Sequence, residues 1–162
     1  MENLIVLRGI SGAGKSTFVE KVLPSFPALV HASADFIHMD SAGNYSFDPK
    51  KLGEGHGLCF RTAVHAMQDR ASMVCVDNTH TQIWELAPYI LAGQAYGYRV
   101  SIVRLEIDPA TATARNVHGV PAKSVASMAE RFQNPLPFWP KETRFTNPTQ
   151  TDVDGFLETL RG

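Results

Sequence analysis

Residues 9–16, close to the N-terminus, have the types and spacing of a phosphate-binding loop. Their sequence, Gly-Ile-Ser-Gly-Ala-Gly-Lys-Ser, matches the pattern G-x-x-x-x-G-K-[ST] at every position. Glycine lets the backbone amides turn toward phosphate oxygens, and the start of the following helix adds partial positive charge there. The pattern predicts that Lys15 reaches the β- and γ-phosphates of ATP and that the Ser16 hydroxyl holds Mg²⁺. The residues of this segment predicted to bind the nucleotide are Gly9, Ser11, Gly12, Ala13, Gly14, Lys15, Ser16 and Thr17.

Two aspartates follow, within three residues, apolar segments that have the character of buried strands. Asp35 follows the segment 28–32, and Asp77 follows the segment 73–76. Phosphoryl transfer to a hydroxyl requires a group that accepts the hydroxyl proton in line with the γ-phosphate, and Asp35 is the candidate for this general base. Asp77 is the candidate that supports Mg²⁺ together with Ser16. The alternative for both aspartates is a helix cap or a turn residue.

The segment 115–145 concentrates positive charge on a chain that is otherwise balanced. It holds five basic and two acidic residues, a local charge of +3, whereas the whole chain has a formal charge of −1. Arg115 is predicted to reach the donor phosphates and stabilise charge as the bond breaks, and Arg131 is a candidate contact for the substrate. Solvated helix faces are the alternative for both arginines. Aromatic residues interleave with these charges and can either stack on bases or cover a small core, namely Phe132, Phe138, Trp139 and Phe145.

The elements that must position these residues alternate between strands and helices. Strands are predicted at 4–7, 28–32, 73–76 and 98–107, and helices at 14–22, 49–70, 82–95, 109–117, 121–132 and 152–160. Residues 40–48 and 134–149 are predicted to be loops. This order predicts an α/β fold, a three-layer P-loop NTPase sandwich with a parallel sheet of about four to five strands and a helical lid. We expect one domain over 1–162, with a lid and acceptor segment at about 115–145 and the site beyond the carboxyl ends of the strands.

Composition excludes several other classes of protein. Hydrophobic residues make up 44% and charged residues 19%, which is typical of a globular domain and not of a disordered chain. A net charge of −1 argues against binding of duplex nucleic acid by bulk electrostatics, so any nucleic acid must bind at a local site. The segment 1–9 does not have the pattern of a signal peptide, and no apolar run is long enough to span a membrane. Cys59 and Cys75 are expected to be reduced core thiols of a cytoplasmic protein, and the histidine spacing predicts no zinc site.

Four motifs in a fixed order resemble those of one kinase family. The phosphate-binding loop is followed by Ser33-Ala-Asp35, Asp77-Asn-Thr79 and Arg115-Asn-Val-His-Gly119. Together they resemble the polynucleotide-kinase-like branch of P-loop kinases, which includes the bacteriophage 5′-polynucleotide kinases. The kinase-like domain of certain animal ubiquitin-ligase-binding proteins is also similar over about residues 4–133, through Gly43-Asn-Tyr-Ser-Phe-Asp48 and Leu52-Gly-Glu-Gly-His56 as well.

This resemblance implies ATP as the donor and a hydroxyl acceptor, usually the 5′-OH of a polynucleotide. It implies that Asp35 is the general base and that Arg115 belongs to a lid over the donor phosphates. The chain departs from the family at Phe36, where a second aspartate is common, and at His38, where the bacteriophage members place an arginine that holds the acceptor phosphate. Histidine grips phosphate less firmly than a bidentate arginine does. The residues predicted to contact the substrate are His38, His56, Asn78, Thr79 and Arg131.

The leading prediction is an ATP- and Mg²⁺-dependent kinase that transfers the γ-phosphoryl group to a hydroxyl of a nucleic-acid component, most simply a polynucleotide 5′-OH. One alternative acceptor is the hydroxymethyl group of a modified pyrimidine, 5-hydroxymethyluracil, in phage DNA. Another is a small molecule such as a nucleoside or a sugar. A nucleotide-binding module without transfer activity is the alternative of a different class.

Overall fold

The computed structural model describes residues 1–116 and 118–162, and within them strands and helices alternate as expected. The strands are β1 (Asn3–Arg8), β2 (Val30–Ala32), β3 (Met73–Asp77), β4 (Arg99–Leu105) and β5 (Glu142–Phe145). The α-helices are α1 (Lys15–Val22), α2 (Leu52–Gln68), α3 (Ile83–Ala95), α4 (Pro109–Arg115), α5 (Ala122–Arg131) and α6 (Gln150–Glu158). Two short 3₁₀ turns, Ala34–His38 and Pro49–Lys51, lie between β2 and α2.

All strand pairs of the sheet are parallel, and the strand order is β2-β3-β1-β4-β5. The two strands β1 and β3 are buried along their whole length, because helices cover both faces of the sheet. Phe18 and Leu157 belong to the core on one face, and Met67 and Leu86 belong to the core on the other. The three-layer α/β fold predicted from the sequence is therefore confirmed.

Several element boundaries differ from the prediction. The segment 134–149 was expected to be a loop throughout, which is wrong, because 142–145 forms the edge strand β5 and pairs with β4 from Ile102 to Leu105. This strand is short and only partly buried, so its sequence carries no clear apolar pattern. Helix α4 ends at Arg115, and the last position of the helix predicted over 109–117 lies outside the described residues.

Both cysteines lie in the interior of the protein. Cys59 and Cys75 are both free and buried, and burial raises the pKa of each thiol. None of the helices in the described part of the chain is both long and apolar enough to cross a membrane.

Candidate active site

The phosphate-binding loop joins β1 to α1 and is shaped by glycines that have positive φ angles. These are Gly12 (φ 86°) and Gly14 (φ 96°). The Lys15 ammonium folds back across the loop and donates hydrogen bonds to the carbonyl oxygens of Gly9 (2.9 Å) and Ile10 (3.2 Å). Burial lowers the pKa of Lys15, and the charges of Asp77 and Asp35 act in the opposite direction. Both aspartates therefore lie within electrostatic reach of the lysine.

Asp77 ends β3 beside the first residues of α1. Its Oδ2 atom accepts a hydrogen bond from the Ser16 hydroxyl (3.1 Å) and lies 3.0 Å from His31 Nε2. Burial by itself would raise the pKa of Asp77, but the His31 hydrogen bond and the Lys15 charge outweigh it and lower the pKa. The buried carboxylate is thus held in its ionised form. A hydroxyl and a carboxylate are the oxygen donors that Mg²⁺ prefers, so Ser16 and Asp77 fit this ion.

His31 on β2 was not singled out from the sequence. Its only signal there is a polar residue between valine and alanine in a short strand. Its ring contacts the edge of Phe36, with centroids 4.9 Å apart. His31 thus connects the carboxylate of Asp77 to the 3₁₀ turn that carries Asp35.

The residues directly after β3 form hydrogen bonds to the end of β1 and to the first residue of the phosphate-binding loop. The Gly9 amide donates to the Thr79 carbonyl (3.1 Å), and His80 Nδ1–H donates to the Leu7 carbonyl (2.7 Å). His80 has a positive φ of 46°, and burial lowers its pKa to about 4. The Asn78 side chain is also buried, and its Oδ1 accepts from the Ala34 amide (2.9 Å). The predicted substrate contacts of Asn78 and Thr79 stay predictions, and the structure places Asn78 in internal hydrogen bonds.

Arg8 is a second residue that sequence reasoning missed. It is the last residue of β1, and its side chain is fully buried. Its guanidinium donates to the carbonyls of His80 (3.0 Å) and Thr81 (3.1 Å) and forms an ion pair with Glu142 of β5 (2.8 Å). Arg8 therefore ties the strand before the phosphate-binding loop to two other segments.

Asp35 lies on the acceptor side, in the 3₁₀ turn Ala34–His38. The cap of this turn is Ser33, whose hydroxyl accepts from the Asp35 amide (3.2 Å), so the Asp35 carboxylate is not used as the cap. The Asp35 side chain is 55% exposed, and its Oδ2 lies 3.9 Å from His118 Nε2. Likewise the cap of α3 is Gln82 and not Asp77. Both carboxylates are thus free of the capping role considered as their alternative.

Exposure to solvent differs among the remaining predicted substrate contacts, which are His38, His56 and Arg131. His38 is buried, and its Nδ1 accepts from the Asp48 amide (3.3 Å), so it anchors the loop 40–48. His56 on α2 and Arg131 on α5 are exposed to solvent. A role in substrate binding stays a prediction for all three residues.

Helix α4 packs directly on the phosphate-binding loop. A β-carbon on Gly12 would stand 2.1 Å from the Ala112 carbonyl oxygen, which shows how closely the two backbones approach. Arg115 at the end of α4 donates to Asn147 Oδ1 (2.6 Å), and its Nη2 lies 3.5 Å from where a β-carbon on Gly14 would stand. A cleft of about 120 Å³ lies here, lined by Ala13, Gly14, Thr17, Phe18, Lys21, Arg115, Asn147 and Pro148. The structure therefore places Arg115, which was predicted to reach the phosphates of ATP, beside the phosphate-binding loop.

The aromatic residues of the lid segment mostly pack against the protein. The Phe132 ring lies close to two guanidinium groups, with its centroid 4.8 Å from Arg8 and 4.3 Å from Arg104. Trp139 packs against one core and Phe145 against the other, whereas Phe138 is 79% exposed. Covering a core is thus the observed role of three of the four.

Comparisons with known proteins show which family the chain is similar to. The family model described as "AAA domain" matches residues 4–135. NEDD4-binding protein 2 of Homo sapiens is 31% identical over 135 residues, which are 80% of this chain and 8% of that protein. The chain therefore spans only a small part of the curated relative that it matches. The animal relative supports the resemblance to a kinase-like domain described from the sequence.

Solved structures share the fold. The Mycobacterium tuberculosis APS kinase CysC in complex with AMPPNP and APS matches with a TM-score of 0.67 and 16% identity, over 99% of this chain and 98% of that one. The Pnkp1/Rnl/Hen1 RNA repair complex matches with a TM-score of 0.66 and 14% identity, over 82% of this chain and 44% of that one. With its parallel sheet, its phosphate-binding loop and the family match over 4–135, the chain has the P-loop kinase fold and belongs to the AAA domain family.

Proposed function

We propose that the protein is an ATP-dependent kinase that transfers the γ-phosphoryl group to a hydroxyl of a nucleic-acid component, most simply a polynucleotide 5′-OH. The observation that carries this proposal is the placement of Asp35. Its half-exposed carboxylate lies in the 3₁₀ turn that follows β2, and its negative charge opposes the lowering of the Lys15 pKa by burial. This placement supports a proton acceptor close to the donor site.

On the donor side, the loop amides and Lys15 bind and orient the phosphates of ATP. Ser16 and Asp77 would hold Mg²⁺, which when bound offsets charge on the β- and γ-phosphates. The 3.0 Å contact from His31 keeps the Asp77 carboxylate in place. Arg115 lies at the loop and can turn from Asn147 toward the phosphates, where it would stabilise the charge that develops in transfer.

On the acceptor side, Asp35 takes the proton of the attacking hydroxyl. The hydroxyl oxygen forms a bond to the γ-phosphorus, the bond between that phosphorus and the β-phosphate oxygen breaks, and ADP leaves. Exposure suits Asp35 for this task, because a proton acceptor must reach a substrate that arrives from solvent.

The choice of acceptor rests on similarity and on charge. The similarity to the RNA repair complex supports a nucleic-acid component. The His38 side chain is buried and accepts a hydrogen bond from the Asp48 amide, so it is engaged with its own loop. This burial favours, as a second candidate, an acceptor without a terminal phosphate pattern, such as an internal hydroxymethyl-pyrimidine. The similarity to APS kinase keeps small molecules among the acceptors to be tested.

The test uses γ-labelled ATP with Mg²⁺ and a panel of acceptors. The panel contains a 5′-OH oligonucleotide, the same oligonucleotide with a blocked 5′ end, a blocked oligonucleotide with internal hydroxymethyluracil, and a nucleoside. Label on the first alone supports the leading acceptor, and label on the third or the fourth replaces it with the other candidates. Absence of label from every acceptor, with an ATP analogue still bound, overturns the proposed kinase activity.

The base is tested with Asp35→Asn, and Asp69→Asn at the end of α2 is the matched control. We expect Asp35→Asn to lose roughly 10²–10⁴ of the transfer rate because the proton acceptor is gone. Binding of an ATP analogue should stay close to that of the wild-type protein. Full transfer activity in Asp35→Asn would show that another group accepts the proton.

A further inference from the structure

The end of α4 and the residues just after it approach both sides of the site. Arg115 lies beside Gly14 of the phosphate-binding loop, and His118, three residues further along, lies beside Asp35. One short piece of chain therefore approaches the donor loop with one residue and the proposed general base with another. His118 lies in the motif of residues 115–119, but it was not among the site residues predicted from the sequence.

The position of His118 is set by contacts on its backbone and its ring. Its amide donates to Asn116 Oδ1 (2.9 Å), and Asn116 Nδ2 donates to the Val120 carbonyl (3.3 Å). Its ring stacks on Tyr45, with centroids 4.0 Å apart and an angle of 37° between the planes. The ring face is thus covered, and Nε2 is the nitrogen that points to the Asp35 carboxylate, at 3.9 Å.

Tyr45 is itself held in place. It bridges to Met39, and the amide next to it, on Ser46, donates to the His38 carbonyl (2.8 Å). The buried His38 ring lies 5.7 Å from the Tyr45 ring. Burial first, and the Asp35 charge second, raise the pKa of Tyr45, which agrees with a tyrosine close to that carboxylate.

The Asp35 carboxylate needs a neighbouring hydrogen-bond donor that fixes its orientation. Its carboxylate is half exposed, and in the described part of the chain His118 is the only basic side chain within ion-pair distance of it. A free carboxylate samples several rotamers, and a misplacement of about 1 Å can cost on the order of 10²-fold in rate. A donor on one oxygen would leave the other oxygen aimed at the acceptor hydroxyl.

We propose that His118 is a positioning residue that orients the Asp35 carboxylate through Nε2–H when the lid segment lies over the phosphate-binding loop. In the same arrangement Arg115 lies beside the donor loop, so one segment serves both sides of the site. This inference rests on the proposed kinase function.

The first test compares three replacements of the histidine. The amide nitrogen of glutamine can take the place of Nε2, whereas that of asparagine takes the place of Nδ1. We expect His118→Ala and His118→Asn to lower kcat about tenfold to hundredfold and His118→Gln to recover most of it. The affinity for an ATP analogue and the KM for ATP should change less than about threefold, since the donor contacts remain. His65→Gln, on an exposed histidine at the far end of α2, is the matched control.

Equal activity of the glutamine and asparagine variants, or full activity of His118→Ala, would overturn the inference while leaving the kinase activity itself in place. A wild-type protein that labels no acceptor would overturn the proposed function instead. A second measurement, the NMR signals of the His118 ring, decides the geometry without turnover. Tyr45→Leu should remove the upfield ring-current shift of these signals, and Asp35→Asn should move them as well. If neither substitution shifts these signals, the contacts of the His118 ring with Tyr45 and Asp35 are refuted.

Discussion

Alanine at Gly12 provides a direct test of how the lid packs on the phosphate-binding loop. The substitution introduces two separate effects. It places a side chain at a φ of 86°, and it places a β-carbon 2.1 Å from the Ala112 carbonyl oxygen of α4. Gly97→Ala separates them, because Gly97 has a similar φ of 77° and nothing within 4 Å of its β-carbon position.

The expected magnitudes follow from that difference. The positive φ costs about 1–2 kcal/mol at either position, and a gain of about 0.4–1 kcal/mol from the less flexible unfolded chain partly offsets it. Only Gly12→Ala also requires backbone movement, since its contact falls 0.9 Å short of the 3.0 Å that β-carbons tolerate. Overpacking of this kind adds about 1–3 kcal/mol. We therefore expect Gly12→Ala to be less stable than Gly97→Ala by about that amount.

The displacement should also weaken nucleotide binding. The clash pushes α4, and with it Arg115, away from the loop that cradles the phosphates. If the same 1–3 kcal/mol is lost on binding, the affinity for an ATP analogue falls roughly five- to 150-fold.

The assay is urea unfolding of both variants together with calorimetric titration of the analogue. Equal stability of the two alanine variants and wild-type affinity in Gly12→Ala would refute the close packing of α4 on the loop.

Two further predictions concern the buried groups beneath the loop. Arg8→Met should lower the free energy of unfolding by about 3–5 kcal/mol, because it leaves buried carbonyl acceptors unpaired and leaves Arg144 as the remaining cation at Glu142. Arg8→Met/Glu142→Met should recover part of this loss. Urea unfolding checks both variants, and a cost below about 1 kcal/mol for Arg8→Met would contradict the role of the ion pair. His80 has a folded pKa of about 4, below the unfolded value of 6.5. The stability it contributes is complete above pH 6.5 and is lost as the pH falls toward 4, up to about 3 kcal/mol. His80→Asn, which tolerates the positive φ, should show a shallower decline over this range in unfolding titrations, and an unchanged decline would refute the neutral buried ring.

The parts of the site that are predictable from sequence are those built from neighbours along the chain. The phosphate-binding loop is predictable because its glycines, Lys15 and Ser16 are adjacent and their backbone geometry is local. The central strands β1 and β3 are predictable because a strand covered on both faces is a continuous apolar run. Asp35 and Asp77 follow from the rule that parallel strands end at one edge of the sheet.

The strand β5 was missed for the opposite reason. Its four residues alternate only weakly in polarity, and their conformation comes from pairing with β4. Arg8 was missed because a charged residue in a buried strand has no meaning until its partner, Glu142, is known. His31 was missed because an isolated histidine carries no spacing pattern. His118 lies in the motif of residues 115–119, but the sequence does not show which group its side chain meets.

The sequence by itself determined the fold class and located the phosphate-binding loop and the two candidate aspartates, since each depends on short segments with strong local preferences. Only the tertiary structure decided which side chains meet these groups. The sheet order brings His31 to Asp77, and the packing of the lid brings His118 to Asp35. Such contacts join residues far apart in the chain, and their formation depends on how the layers pack together and not on any local pattern.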